Sequence, residues 1–144
     1  MKLSEHFKIL AESQVYILGN EFEYGYIINK KIYSKIYLGS SCGDPTLGII
    51  DQKEQWALLL GHTSYLWTPI ETFKLSEIHS TCEEIFEWPY SAKQINDFEV
   101  EILEDPWSDN PGIYIINVKE KSVKRIRDFK KLEVPFDDKL NIEW

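Results

Sequence analysis

Two cysteines, three histidines and twenty-four carboxylates are the side chains of this 144-residue chain best suited to act on a substrate or hold a metal. A thiolate at Cys42 would need a base, His62 or His79, to take its proton. No family signature of a cysteine nucleophile surrounds Cys42, so a working Cys-His pair is not expected. His79 and Cys82 stand one helical turn apart and would hold zinc only with two further ligands, such as His62 and Cys42. Spacing of this kind is common, and an exposed His beside a buried Cys is the simpler reading. Glu83-Glu84 and Glu104-Asp105 are paired carboxylates of the type used in acid-base catalysis or cation binding. In so acidic a chain they read first as a solvated face. No dinucleotide fingerprint, P-loop or His-Glu-x-x-His is present. The expectation is a binding protein and not an enzyme, with no catalytic set, no metal and no cofactor.

Charge is more informative than any single group. Residues 71–109 hold eleven acids against Lys74 and Lys93, a net charge of −9 that exceeds the −8 of the whole chain. A field of one sign speeds encounter with a partner of opposite sign and repels nucleic acid. Trp88, Tyr90 and Trp107 lie in the same segment and supply anchors of the kind that dominate interfaces. Trp107 falls in Asp105-Pro106-Trp107-Ser108-Asp109-Asn110-Pro111-Gly112, where prolines and glycine fix a turn, so it is expected at an aromatic loop tip ringed by acids. The predicted partner-binding set is therefore Glu83, Glu84, Glu87, Trp88, Tyr90, Glu101, Glu104, Asp105 and Trp107. The opposite sign collects at residues 119–131, which carry seven Lys or Arg and two acids. Alternation would split these bases between two faces, so they read as protection of a sheet edge and neutralisation of nearby acids, not as a nucleic-acid arm.

These groups must be positioned by a single domain spanning residues 1–144, long enough to bury roughly 70% of its unfolded surface. It needs no disulfide, and Cys42 and Cys82 are expected reduced and buried. The first residues lack the apolar run of a signal peptide and no window approaches a membrane span, so a cytoplasmic location and no membrane contact are expected.

Short runs rich in Ile, Tyr, Val and Trp recur between Gly, Pro, Asp and Asn. They predict strands at 15–18, 22–28, 32–38, 47–50, 55–60, 65–67, 98–103, 113–118, 123–129 and 140–144. Asp51–Gln55 and Lys119–Ser122 read as hairpin loops, and Asp44-Pro45 as a turn. In residues 32–38, alternation would send Ile32, Ile36 and Leu38 to the core and Tyr33, Lys35 and Tyr37 outward. Ser4 is placed to cap a short helix over Glu5–Glu12. Residues 76–88 fit a helix or a strand equally. The fold class is mainly β, or α+β with one or two short helices, built as an antiparallel meander sheet or small sandwich. A tryptophan in so small a sandwich is more often core than contact, Trp107 being the exception.

Gly43-Asp44-Pro45-Thr46-Leu47-Gly48-Ile49-Ile50-Asp51, then Trp56, Trp67, Asp105-Pro106-Trp107-Ser108, Arg127-Asp128-Phe129 and the final Asn141-Ile142-Glu143-Trp144 carry a resemblance in style and spacing. Together they resemble bacterial immunity proteins of polymorphic-toxin and contact-dependent growth-inhibition systems. The resemblance implies a cytoplasmic inhibitor of one cognate toxin domain, often a nuclease, and transfers no particular contact residue. A basic nuclease domain would suit the acidic, aromatic-bearing segment. The alternative is a small-molecule or carbohydrate-binding β module stacking its ligand on Tyr33, Tyr37, Trp56 and Trp67.

Overall fold

A computed structural model describes residues 2–75 and 88–144. The described residues form twelve strands in three four-stranded antiparallel sheets, each a meander in chain order. The first sheet holds β1 (Phe7–Glu12), β2 (Tyr16–Glu21), β3 (Tyr24–Asn29) and β4 (Ser34–Ser40). The second holds β5 (Leu47–Ile50), β6 (Ala57–Leu60), β7 (Tyr65–Trp67) and β8 (Thr72–Lys74). The third holds β9 (Pro89–Gln94), β10 (Glu99–Glu104), β11 (Gly112–Asn117) and β12 (Ser122–Asp128). Short loops explain the pairing, since strands joined by a tight turn can only lie antiparallel.

The sheets stack face to face with the second in the middle. Its strands read as unbroken apolar runs, Ala57-Leu58-Leu59-Leu60 and Tyr65-Leu66-Trp67, because both faces are covered. Alternation divides them. Ala57, Leu59, Tyr65 and Trp67 meet Leu18, Ile27 and Leu38 of the first sheet. Leu58, Leu60 and Leu66 meet Val100, Ile102, Tyr114 and Ile116 of the third. Each fully buried leucine contributes about 1.5–3 kcal/mol by leaving water. One glycine is required by this stacking: a Cβ on Gly39, which also has φ +157°, would run into the ring of Tyr65. The Tyr65 hydroxyl donates instead to the Ser40 carbonyl at 2.6 Å.

The all-β architecture and the antiparallel meanders agree with the sequence reading, and several details differ from it. Residues 7–12 form β1, not a capped helix. A bulge between Ile9 and Ala11 leaves Leu10 unpaired, so Leu10 and Ala11 both pack against the first core. That bulge gives a strand the Phe7, Leu10, Ala11 spacing that suggested a helix. β8 and β9 were not predicted: one is three residues long, and the other begins at Pro89, which an edge strand tolerates. Residues 140–144 form no strand. Ile36 is exposed and Ile32 lies outside β4 in an exposed turn, so only Leu38 of the three predicted inward residues is buried. The helix-or-strand alternative for residues 76–88 lies, apart from Trp88, outside the described residues. The loops at Asp51–Gln55 and at Lys119–Lys121 fall between paired strands as expected, with Ser122 already the first residue of β12, and β12 is an outer edge.

Truncating a residue of the middle sheet should cost far more than truncating one on an outer strand. Leu59→Ala should lose about 2–5 kcal/mol in urea unfolding, whereas Ile9→Ala, at a half-exposed position, should stay within about 1 kcal/mol of the parent.

Candidate functional site

The first strand of each sheet lies beside the next: β1 packs near β5, and β5 near β9. Where they converge, a cleft of about 510 Å³ opens. Lys8 comes from β1 and Leu47 from β5, while Trp88 immediately precedes β9 and Tyr90 lies within it. The β4–β5 loop adds Cys42 and Asp44, the β6–β7 loop adds His62, and the segment after β12 adds Phe136 and Asp138. Thr46 ties the seam together, its hydroxyl donating to the Pro89 carbonyl at 2.9 Å. Trp88 is 48% exposed and Phe136 58%. Large aromatic area left open in a concave site, with Asp44 and Asp138 exposed on the rim, suits a partner's apolar or cationic side chain.

Trp88 also borders a second, smaller cleft of about 220 Å³ with Glu104, Asp105, Tyr114 and Arg125. The Asp105 amide donates to the Trp88 carbonyl at 2.9 Å, which holds the two segments together. Arg125 donates to the Tyr114 hydroxyl at 3.0 Å and to Asp128 at 2.8 Å. Burial pushes the Tyr114 hydroxyl above its ordinary pKa, and Glu104 hydrogen-bonded to it acts in the same direction. Tyr114 is therefore neutral at physiological pH, and the charges in this cleft are the guanidinium and two carboxylates.

Of the predicted partner-binding residues, Trp88, Tyr90, Glu104, Asp105 and Trp107 are brought to one end of the third sheet. Trp107 is not an open tip. Its indole N–H donates to the Val134 carbonyl at 2.8 Å, and its ring lies edge-on to Tyr90 and to Phe136, with centroids 5.2 and 5.0 Å away. The Tyr90 hydroxyl is shared between the carbonyls of Asp137 and Leu140. Burial, then the carboxylates of Asp137 and Asp138, raise its pKa, so it stays a donor. Glu101 stands apart, opposite Lys93 in the ladder and 3.7 Å from its ammonium. Lys93 in turn donates to the Trp144 carbonyl at 2.6 Å and lies over the Trp144 ring. Glu83, Glu84 and Glu87 lie outside the described residues.

The acidic segment is partly neutralised in three dimensions. Besides Glu101, Asp97 pairs with Lys53 and Asp109 with Lys131, at 2.9 and 2.8 Å. Sequence reasoning missed Asp44, Phe136 and Asp138, which lie far from residues 71–109 in the chain. The break between strands at Asp44-Pro45 was legible, although the chain bends at Cys42 and Gly43 instead, and its place beside Trp88 depends on the stacking of three sheets. Cys42 is exposed at the cleft and not buried as expected, because the β4–β5 loop carries it to the surface; it shares the cleft with His62, yet among the described residues no hydrogen bond joins them. No cluster of three His, Cys, Asp or Glu fit for a metal ion occurs among the described residues. Trp56 and Trp67 are buried, which removes them as stacking platforms. Trp56 closes the second core and donates to the Asp97 carbonyl at 3.0 Å; Trp67 fills the first, edge-on to Tyr16.

The segment following β12 forms one wall of the cleft through a few discrete bonds. Tyr90→Phe removes one of them and should cost about 1 kcal/mol. It should also speed tryptic cleavage after the exposed Lys139 several-fold, and an unchanged cleavage rate would show that the hydroxyl does not hold this segment.

No protein-family model matches the chain, and no curated protein is detectably similar to it.

Proposed function

We propose that the protein is an inhibitor of the immunity type, binding one cognate toxin domain of basic surface over the cleft where the three sheets converge. The observation that carries this reading is Trp88: a tryptophan nearly half exposed, set between two clefts, with Tyr90 and Phe136 beside it. An indole in that position offers apolar area to a partner at small conformational cost. Asp44, Asp138, Glu104 and Asp105 border the same clefts, and the chain carries a net −8. Charge so placed supports fast capture of a cationic protein. The resemblance to immunity proteins supports the same reading and suggests a nuclease as the toxin.

Tagged protein should retain the product of a neighbouring gene at low salt and release it more readily at high salt, because screening shortens the reach of surface charge to about 8–10 Å near physiological ionic strength. Trp88→Ala should weaken the complex by about 2 kcal/mol or more, some thirty-fold in Kd. Its melting temperature should change little, since the side chain is exposed. Asp44→Lys with Asp138→Lys should slow association more than it hastens dissociation. Retention of the partner with unchanged affinity after Trp88→Ala would reject the cleft as the binding site.

A further inference from the structure

Antiparallel meanders send their connections alternately to two ends of the molecule. The cleft lies at one end, where β1, β5 and β9 begin. The Thr63 amide donates to the Ser41 hydroxyl at 3.1 Å, so the end of β4 and the start of β7 lie at the cleft end too. The β3–β4 and β7–β8 connections therefore share the opposite end. The third sheet joins them there: the Trp56 indole N–H, just before β6, donates to the Asp97 carbonyl, and the Val118 amide donates to the Phe98 carbonyl at 2.8 Å, which brings the β11–β12 connection alongside. Since β1, β5 and β9 meet along one flank, the β3–β4, β7–β8 and β11–β12 connections stand along the other, one per sheet, with sheets about 10 Å apart.

Two of these connections raise isoleucine into solvent. Ile70, in Thr68-Pro69-Ile70-Glu71, is 95% exposed; Ile32 is 70% exposed and the adjoining Tyr33 64%. Both connections are ordered. The Thr68 amide donates to the Glu71 carbonyl, and the Thr68 hydroxyl accepts the Glu71 amide. The Asn29 side-chain oxygen accepts the Lys31 amide at 2.9 Å. Apolar side chains held outward in this way belong to neither core and mark a surface that meets something apolar. Lysines stand around them. Lys31, Lys119 and Lys121 are exposed, Lys119 lying 5.1 Å from the centre of the Phe98 ring and Lys121 3.9 Å from that of Phe73. Glu71 and Glu120 are the acids of the same three connections. Nearer the cleft flank, Asp97 pairs with Lys53 and Glu12 with Lys30, while Glu54 accepts from the Ser13 hydroxyl and the Val15 amide.

We propose that this end docks on the surface of an anionic lipid bilayer, with Ile32 and Ile70 in the interfacial layer, Tyr33 beside them at headgroup level and the lysines facing headgroup charge. A protein partner would need one surface matched to separate tips rising from two sheets, whereas a fluid lipid layer takes each tip where it stands. The chain's net −8 does not prevent approach. Asp44 and Asp138 of the cleft lie at the other end, one six-residue strand or about 20 Å away. That exceeds the Debye length of about 8–10 Å. The expectation of no membrane contact rests on the lack of an apolar span, which a surface contact does not require. A chain docked in this way presents its cleft to solution.

Sedimentation with phosphatidylcholine vesicles containing about one third phosphatidylserine, in about 0.1 M salt, tests this. The protein should pellet with these vesicles and several-fold less with pure phosphatidylcholine. Ile32→Ser combined with Ile70→Ser should weaken binding about tenfold or more with circular dichroism retained, since both residues are exposed. Lys119→Glu combined with Lys121→Glu should erase the preference for phosphatidylserine. Trp88→Ala, a change at the cleft, should bind vesicles like the parent. A parent that stays in solution overturns the proposal, and so does a serine or glutamate double variant that binds both kinds of vesicle as the parent does. Loss of vesicle binding in Trp88→Ala would place the contact at the cleft instead. A parent that ignores vesicles, with a serine double variant that loses a protein partner, would assign these tips to a protein.

Discussion

Burial of both faces of the middle sheet is the constraint on which the rest of the structure depends. A four-stranded sheet with leucine on each side cannot face water on either. It therefore needs a sheet above and a sheet below, and the chain supplies them from the residues before and after it. Order in sequence becomes order in space: first sheet, second, third. The two cores share no layer other than the second sheet, so a change in its packing reaches both outer sheets at once.

Stacking of this kind also creates the candidate site. When three meanders lie face to face, their first strands, β1, β5 and β9, come together at one side. The resulting cleft is lined by residues from the whole chain, from Lys8 to Asp138. Hydrogen bonds from Trp107, Tyr90 and Lys93 then fix the irregular residues after β12 against the third sheet. An apparent recognition loop at Trp107 is thus used to hold the protein's own chain, and the exposed aromatic area falls to Trp88 and Phe136.

The sequence made some of this legible. Alternating and continuous apolar runs identified most strands, since the period of two is a local property, and Leu47–Ile50 and Tyr65–Trp67 appear with the bounds expected. Reading β1 as a helix was an error of period: one bulged residue moved Leu10 onto the same side as Ala11. The edge strands β8 and β9 were missed because packing and pairing define them more than composition does, whereas the edges β4, β5 and β12 were legible from their apolar runs. Of the candidate site, the aromatic and acidic residues of the third sheet were visible as a local cluster. Asp44, Phe136 and Asp138 were not, because only the stacking of sheets brings them to Trp88. Ion pairs such as Asp109 with Lys131 span the two oppositely charged segments, so a charge count along the chain overstates the field at the surface.

Hydrogen exchange on the protein alone and on its complex with the basic partner it retains would test the central claim, that recognition occurs at the seam of the three sheets. The account predicts added protection in residues 42–47, 88–90 and 136–138, the segments that line the cleft. Protection confined to the outer face of the first or the third sheet, with those segments exchanging as before, would contradict it.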